Sequence, residues 1–130
     1  MIGLDTTVLI DLFKNDERVI SLLASIEETI FLNEIVYLEL LIGLDPKNKM
    51  HNDEESFYEN LFSSFPVLSL NVIAIKKARE VLWELKKEGK EIAPFDCTIA
   101  GIYLANGIST IITKNKNHFE RIKGLQVLSY

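Results

Sequence analysis

Three acidic residues that lie far apart in the sequence have the right chemistry to bind a metal ion together. Asp5 follows the apolar run at 2–4, Glu39 stands inside the apolar segment NEIVYLELLIGL, and Asp96 lies in the segment APFDCT. Carboxylate oxygens are the ligands that hard divalent cations prefer. Carboxylates that share a small site repel one another unless a cation bridges them. If these residues share one cavity, the sequence predicts a divalent-cation centre built from Asp5, Glu39 and Asp96.

Glu39 is the most informative of the three because its neighbours are apolar. In a helix it shares a face with Ile35, Val36, Ile42 and Gly43, while the opposite face carries Tyr37, Leu40 and Leu41. A helix that is apolar all round is normally buried, and a buried charge without a partner costs several kcal/mol. We therefore expect this helix to be buried and Glu39 to point into a polar cavity. The alternative is a solvated Glu39.

Each of the other polar residues also has an explanation that needs no chemistry. Asp5 would serve as the N-cap of the next helix, and Asp96 would complement the dipole at the start of its helix. Asn115 would be a turn residue. Asp11 is expected on the solvated face of the first helix. The residues alone leave these alternatives open.

Short apolar strands alternate with amphipathic helices along the chain. Strands are predicted at 2–4, 29–32, 66–70, 110–113 and 126–128. Helices are predicted at 6–13, 16–26, 34–43, 51–65, 71–88, 94–105 and within 117–123. This alternation predicts an α/β fold with three layers, in which a central parallel sheet lies between helices. Ligands bind such sheets beyond the carboxyl ends of the strands, where Asp5 and the segment Thr113–Asn115 fall.

Length and composition predict one domain over residues 1–130 that works in the cytoplasm. The chain has 130 residues, 48% of them hydrophobic and 25% charged, and a net charge of −5. That charge argues against nucleic-acid binding through a broad basic surface, but it allows an acidic site that binds cations. We see no signal peptide and no membrane-spanning segment. The single cysteine, Cys97, fits a reducing compartment and is expected to fill a core position.

Other chemical motifs are weak or missing. The sequence has no Gly-rich phosphate loop, no HExxH, no Cys/His metal spacing and no nucleophile elbow. His51 is expected to do no chemistry. His118 precedes Phe119, and an imidazole that faces the substrate is one of its possible roles.

The chain resembles PIN-domain proteins, and more narrowly the VapC-type toxins of VapBC toxin–antitoxin pairs. Four segments carry the resemblance: IGLDTTVLIDLF, VYLELLIGL, IAPFDCTIAGIYLANG and IITKNKNHFERIKGLQVL. They span the chain from Ile2 to about Leu128 in the same order and with similar spacing. The family's fold is a parallel sheet between helices, and its members are Mg²⁺- or Mn²⁺-dependent ribonucleases.

The resemblance implies a role for each matching residue. Asp5 and Asp96 would hold Mg²⁺ (or Mn²⁺), and Glu39 would bind through the metal or a water and orient the attacking water. The family's fourth position, often aspartate, falls on Asn115. An amide oxygen still ligates a hard cation but adds no charge, so one metal or two remains open. Supporting hydroxyls match Thr6 or Thr7, and Thr113.

The resemblance also implies partners. The substrate would be RNA, cleaved to leave a 5′-phosphate, and its backbone would be steered by Lys114, Lys116, His118 and Arg121. Each of these four also fits a plain solvated surface residue. The protein would form a homodimer and be silenced by a cognate antitoxin protein, with contacts from the apolar stretches at 19–26 and 57–62. No membrane partner is implied.

Two alternatives remain from other functional classes. A phospho-signalling receiver is also a small α/β domain with an acidic Mg²⁺ site, but it carries a pair of acids after its first strand and a phospho-accepting aspartate after a middle strand. Here Asp5 stands alone, and the segment at 66–70 offers no aspartate. A PIN-like scaffold that binds RNA or protein without cleavage is the other alternative, and Asn115 leaves room for it.

Overall fold

The computed structural model describes all residues from Met1 to Tyr130. Five short strands are β1 (Ile2–Leu4), β2 (Ile30–Asn33), β3 (Val67–Leu68), β4 (Thr110–Ile112) and β5 (Gln126–Leu128). The helices are α1 (Thr6–Phe13), α2 (Glu17–Ala24), α3 (Glu34–Ile42), α4 (Asn52–Ser64), α5 (Val72–Lys87), α6 (Pro94–Ala105) and α7 (Lys116–Phe119), with a 3₁₀ turn at Lys49–His51. Every predicted element is present, with ends that differ by a few residues.

All strand pairs are parallel, and the sheet has the order β3-β2-β1-β4-β5. Connections between parallel strands are right-handed, so α1 to α4 cover one face of the sheet and α5 to α7 cover the other. This is the three-layer arrangement that the sequence predicted. The chain leaves β1 towards one edge and β4 towards the other, so the switch point of the topology lies between these two central strands.

Local signals in the sequence explain how the site's helices begin. The side chain of Asn33 accepts hydrogen bonds from the backbone N–H groups of Ile35 and Val36, at 3.0 Å each, and so starts α3 directly after β2. Pro94 occupies the first turn of α6, where its missing N–H is not needed. These two starts set the positions of Glu39 and Asp96 relative to the sheet.

Tyr103 of α6 supports the end of β1 from beneath the sheet. Its hydroxyl donates to the carbonyl oxygen of Leu4 at 2.6 Å and accepts from the N–H of Leu4 at 3.1 Å. The ring lies so close to Gly3 that a Cβ there would be 2.5 Å from Tyr103 Cε2. A glycine in β1 is therefore what lets the tyrosine hold the residue before Asp5.

The prediction that α3 is buried all round is wrong. Ile35, Val36 and Leu40 are buried, but the exposed fractions of Leu38 and Ile42 are 44% and 65%. One face of α3 packs on the core, and the face that carries Leu38 and Ile42 is an apolar surface that stays partly exposed. Burial of the helix therefore does not explain Glu39, and its explanation depends on its contacts.

The apolar stretches at 19–26 and 57–62 pack largely against the core, although Ile20 is 43% exposed. Val19 is fully buried, and Phe57 and Phe62 pack against the core. Besides α3, the helix α5 carries the largest group of exposed apolar side chains, among them Ile73 at 70% and Trp83 at 51% exposure. Cys97 fills a core position, as expected. None of the helices is both long and apolar enough to span a bilayer.

Candidate metal centre

Asp5, Glu39 and Asp96 meet at the carboxyl end of the central strands. One carboxylate oxygen from each lies within 4.8 Å of the others. We call these three residues the acidic cluster. Asp5 follows β1, Glu39 comes from α3, and Asp96 lies in the first turn of α6. Glu39 and Asp96 thus come from helices on opposite faces of the sheet. They meet Asp5, which directly follows β1 at the switch point.

Two threonine hydroxyls hold the side chain of Asp5. Thr113 Oγ1 donates to Asp5 Oδ2 at 2.6 Å, and Thr7 Oγ1 donates to the same oxygen at 3.1 Å. Asp5 occupies the cap position of α1, yet its carboxylate accepts no capping hydrogen bond. The capping explanation of Asp5 therefore does not account for its side chain. Both hydroxyls use Oδ2, so neither of them occupies Oδ1.

Glu39 is half-buried and is held by one hydroxyl. Thr6 Oγ1 donates to Glu39 Oε1 at 2.7 Å. Thr6 directly follows Asp5 in the sequence, so the start of α1 supports two members of the acidic cluster. The other oxygen, Oε2, accepts no hydrogen bond from the protein.

Asp96 is buried, and the imidazole of His118 lies against it. The distance from His118 Nδ1 to Asp96 Oδ2 is 3.2 Å, and the His118 side chain is 48% exposed. Each acid of the cluster thus has one oxygen engaged by a neighbour. No lysine or arginine reaches any of the three carboxylates.

Within the acidic cluster, each carboxylate makes the ionised form of its neighbours less favourable. Burial raises the pKa of Asp5, and the nearby Asp96 adds to this, while the hydroxyls of Thr113 and Thr7 oppose it. Burial is also the main cause that raises the pKa of Glu39. The charges of Asp5 and Asp96 raise it further, and the hydrogen bond from the Thr6 hydroxyl lowers it. At the 4.8 Å limit, two like charges repel by roughly 3.5 kcal/mol at an effective dielectric constant near 20. This repulsion exceeds the stabilisation that one hydrogen bond from a hydroxyl contributes.

The donor set fits a hard divalent cation. Three carboxylates, close enough to share one ligand and without a basic partner, match the preference of Mg²⁺ and Mn²⁺ for oxygen. No histidine or cysteine completes a zinc-type set, since Cys97 is buried in the core and His118 contacts only Asp96 Oδ2. The coordination chemistry therefore points to a cation that binds oxygen.

A family model for the PIN domain matches residues 2–125. The chain belongs to the PIN domain family. It is 30% identical to a tRNA(fMet)-specific endonuclease VapC of Shigella flexneri, in a match that covers 95% of this chain and 92% of the relative. A Ribonuclease VapC1 of Rickettsia felis is 31% identical over 76% of this chain and 75% of the relative.

Solved structures share the fold of this PIN domain over its whole length. The VapBC2 complex of Rickettsia felis, bound to a DNA fragment from its promoter, has a TM-score of 0.86 at 25% identity and covers 100% of this chain and 99% of the other. A DNA-bound VapBC of Salmonella typhimurium has a TM-score of 0.85 at 26% identity, with coverages of 98% and 96%. The resemblance seen in the sequence is confirmed.

The receiver alternative is excluded by the topology of this PIN domain. Receivers have the strand order 2-1-3-4-5, whereas the order here is β3-β2-β1-β4-β5. The strand β3 is only Val67–Leu68, and no aspartate follows it. No strand of this sheet other than β1 is therefore followed directly by an aspartate that could accept a phosphoryl group.

Four of the residues suggested for RNA contact or catalysis are exposed on the surface. Asn115 is exposed, and its side chain makes no hydrogen bond to the cluster, although its N–H donates to Thr113 Oγ1 at 2.9 Å. The ammonium of Lys116 lies 3.5 Å from Glu120, and Arg121 donates to the carbonyl of Glu91 at 3.1 Å. Lys114 is also exposed, but its ammonium faces a buried carboxylate.

That carboxylate is Asp11, for which the prediction of a solvated position is wrong. Asp11 is 7% exposed and accepts the hydroxyl of Tyr130 at 2.7 Å, and Lys114 Nζ lies 3.6 Å away. Its partners come from more than a hundred residues later in the chain, so helical periodicity in α1 could not reveal them. Tyr103 was missed for the same reason, since its contact with Leu4 depends on how α6 crosses β1.

Proposed function

We propose that residues 1–130 form one PIN-like domain that works as a metal-dependent endoribonuclease, the toxin of a toxin–antitoxin pair. The observation that carries this proposal is the acidic cluster, with three carboxylates within 4.8 Å at the switch point of a PIN fold. The names of the curated relatives, ribonuclease and tRNA(fMet)-specific endonuclease, point to the same reaction. The proposed site of action is the cytoplasm, where such RNA is found.

In this proposal Asp5 and Asp96 hold Mg²⁺ or Mn²⁺, with Asn115 beside them as an outer polar residue. When bound, the cation acidifies the attacking water and stabilises the charge that develops on the phosphate. Thr113 and Thr7 fix Asp5 by donating to Oδ2, which leaves Oδ1 for the cation.

Glu39 has the separate task of orienting the attacking water. Its place beside Asp5 and Asp96 would let its carboxylate accept a proton from that water. The Thr6 hydroxyl holds Oε1 at 2.7 Å and leaves Oε2 to face the water. Attack in line with the 3′-oxygen as leaving group gives a 5′-phosphate.

The proposed partners follow from the structural relatives, which are VapBC complexes. A cognate antitoxin would cover the acidic cluster, where the three carboxylates lack a basic partner from their own chain. The exposed apolar faces of α3 and α5 are the surfaces available for a homodimer and for the antitoxin. Ile20 in the stretch at 19–26 is also exposed, and Phe62 in the stretch at 57–62 lies against Tyr37 of α3, so both stretches can add to these contacts.

The direct test is cleavage of structured RNA by the purified, antitoxin-free protein. The initiator tRNA is the first substrate to try, because a relative is named for it. Cleavage that needs Mg²⁺ or Mn²⁺, stops with a chelator and is lost in Asp5→Asn and Asp96→Asn supports the proposal. Persistent inactivity of the folded, metal-loaded wild type, together with retained RNA binding, would instead support a PIN-like scaffold that does not cleave.

A further inference from the structure

Asp11 is a buried carboxylate that the proposed hydrolysis does not use. It lies on α1 at 7% exposure and is not a member of the acidic cluster. Its Oδ2 accepts the Tyr130 hydroxyl at 2.7 Å and lies 3.6 Å from Lys114 Nζ. A buried carboxylate is tolerated only when it is paired and hydrogen-bonded, and these two residues supply the partners.

Lys114 connects this carboxylate to the metal centre through its main chain. Its N–H donates to Thr7 Oγ1 at 3.1 Å, and Thr7 in turn donates to Asp5 Oδ2 at 3.1 Å. The residue before it, Thr113, donates to the same oxygen at 2.6 Å. Lys114 therefore lies between two buried carboxylates, with its backbone towards Asp5 and its ammonium towards Asp11.

We propose that Asp11 is a positioning residue of the metal centre, which anchors Lys114 and thereby keeps the hydroxyls of Thr7 and Thr113 on Asp5. Tyr130 assists by holding the Asp11 carboxylate in place. This proposal rests on the proposed function, because it assumes that Asp5 binds a cation. Residues that orient metal ligands raise affinity by holding each ligand in its binding geometry before the ion arrives.

The same geometry changes the role of Lys114 from RNA contact to positioning. Lys116 offers a matched comparison, because it lies two residues away and its ammonium is 3.5 Å from the carboxylate of Glu120. The difference is in the acids: the Asp11 side chain is 10% exposed, whereas the Glu120 side chain is 49% exposed. Only the Lys114 pair has a buried carboxylate and is linked by hydrogen bonds to Asp5.

The test measures Mn²⁺ affinity without RNA, by the loss of the free Mn²⁺ electron paramagnetic resonance signal. Asp11→Asn and Lys114→Gln should each weaken Mn²⁺ binding by about tenfold, at the lower end of what loss of a supporting residue costs. The double variant should bind no more weakly than the worse single variant, since both changes break one connection. Lys114→Arg keeps the charge and should retain most of the affinity.

Lys116→Gln is the control for charge. It removes the same positive charge two residues along the chain and should leave Mn²⁺ affinity at the wild-type value. Thermal unfolding midpoints of the metal-free proteins show whether each variant is folded. If Asp11→Asn does not fold, Lys114→Gln and Tyr130→Phe carry the test, because the Lys114 side chain is half exposed and Tyr130→Phe removes only a hydroxyl.

The outcomes separate this proposal from the one on which it rests. Wild-type Mn²⁺ affinity in Asp11→Asn and Lys114→Gln would overturn the positioning role and leave the proposed function intact. Weaker metal-free RNA binding in Lys114→Gln, with a salt dependence shallower by about one unit and unchanged Mn²⁺ affinity, would assign Lys114 to RNA instead. A wild type that binds no Mn²⁺ would overturn both proposals.

Discussion

Replacing Thr113 by valine tests how strongly the metal centre depends on a single hydroxyl. Thr113 is fully buried, and its hydroxyl donates to Asp5 Oδ2 at 2.6 Å. A hydrogen bond to a charged group contributes about 1.5–3 kcal/mol. Valine has nearly the same shape but no donor, so it removes this contribution from the ionised form of Asp5.

The metal-free Asp5 carboxylate has the same hydrogen bond, so its loss reaches metal affinity in full only where a proton competes with the cation for Asp5. Because about 1.4 kcal/mol corresponds to a factor of ten, the largest loss of Mn²⁺ affinity expected for Thr113→Val at a fixed pH is roughly 10- to 100-fold. The hydroxyl lowers the pKa of Asp5 against the effect of burial, so its removal raises that pKa further. Since the cation competes with a proton for Asp5, the pH at which Mn²⁺ binds should also move upward.

Isothermal titration calorimetry with Mn²⁺ at several pH values measures both effects, and RNA cleavage should fall in parallel. Thr113→Ser is the matched control, because it keeps the hydroxyl and loses only a methyl group. Its affinity should stay close to that of the wild type, apart from any loss due to packing. Equal Mn²⁺ affinities and equal pH dependence in the valine and serine variants would refute the idea that this hydroxyl supports Asp5.

Three further outcomes are expected. With a chelator present, folding stability should fall as pH rises above about 4, because the raised pKa values of Asp5 and Glu39 make the native state bind more protons than the unfolded chain. Added Mn²⁺ should reverse this trend, and Asp5→Asn should flatten the pH dependence of the thermal midpoint. Tyr103→Phe should lower the free energy of unfolding in urea by about 1–3 kcal/mol, because it leaves the buried N–H and carbonyl of Leu4 without this partner. The control Tyr37→Phe should lower it far less, because the Tyr37 hydroxyl makes no hydrogen bond in the structure. Gly101→Ala should destabilise by about 1–3 kcal/mol, because its Cβ would lie 2.7 Å from the backbone of α5.

Each of these outcomes has a clear counter-result. A chelated protein whose stability rises through the same pH range would contradict the raised pKa values of the cluster. Equal urea midpoints for the two tyrosine variants would show that the Tyr103 hydroxyl does not support β1. For the α5–α6 contact, Gly43→Ala is the control, since the nearest atom to its added Cβ would be 3.5 Å away, an ordinary contact.

Much of the fold could be predicted because its signals are local. Asn33 was recognised as the cap of α3 from its type and position, and it caps that helix through two backbone N–H groups. Short apolar strands separated by helices indicated a parallel sheet, and the sheet is parallel throughout. Both inferences need only neighbouring residues, whose geometry is set by backbone hydrogen bonding and side-chain periodicity.

The errors concern which side of a helix is covered. The apolar composition of α3 predicted burial all round, yet Leu38 and Ile42 are exposed. Asp11 was expected in solvent, yet Tyr130 and Lys114 enclose it. Periodicity identifies the faces of a helix, but whether a face meets water depends on segments that are distant in sequence.

The sequence by itself determined the order of the elements and the identity of the three acids, because strand ends, caps and residue types are local properties. Only the tertiary structure decided that these acids lie within 4.8 Å of one another and that Asp11 on α1 is buried against Tyr130 and Lys114. Those facts depend on the crossing of α3 and α6 over β1 and on hydrogen bonds between residues up to 119 positions apart. Such contacts arise from the packing of the whole chain, and no short segment contains the information that fixes them.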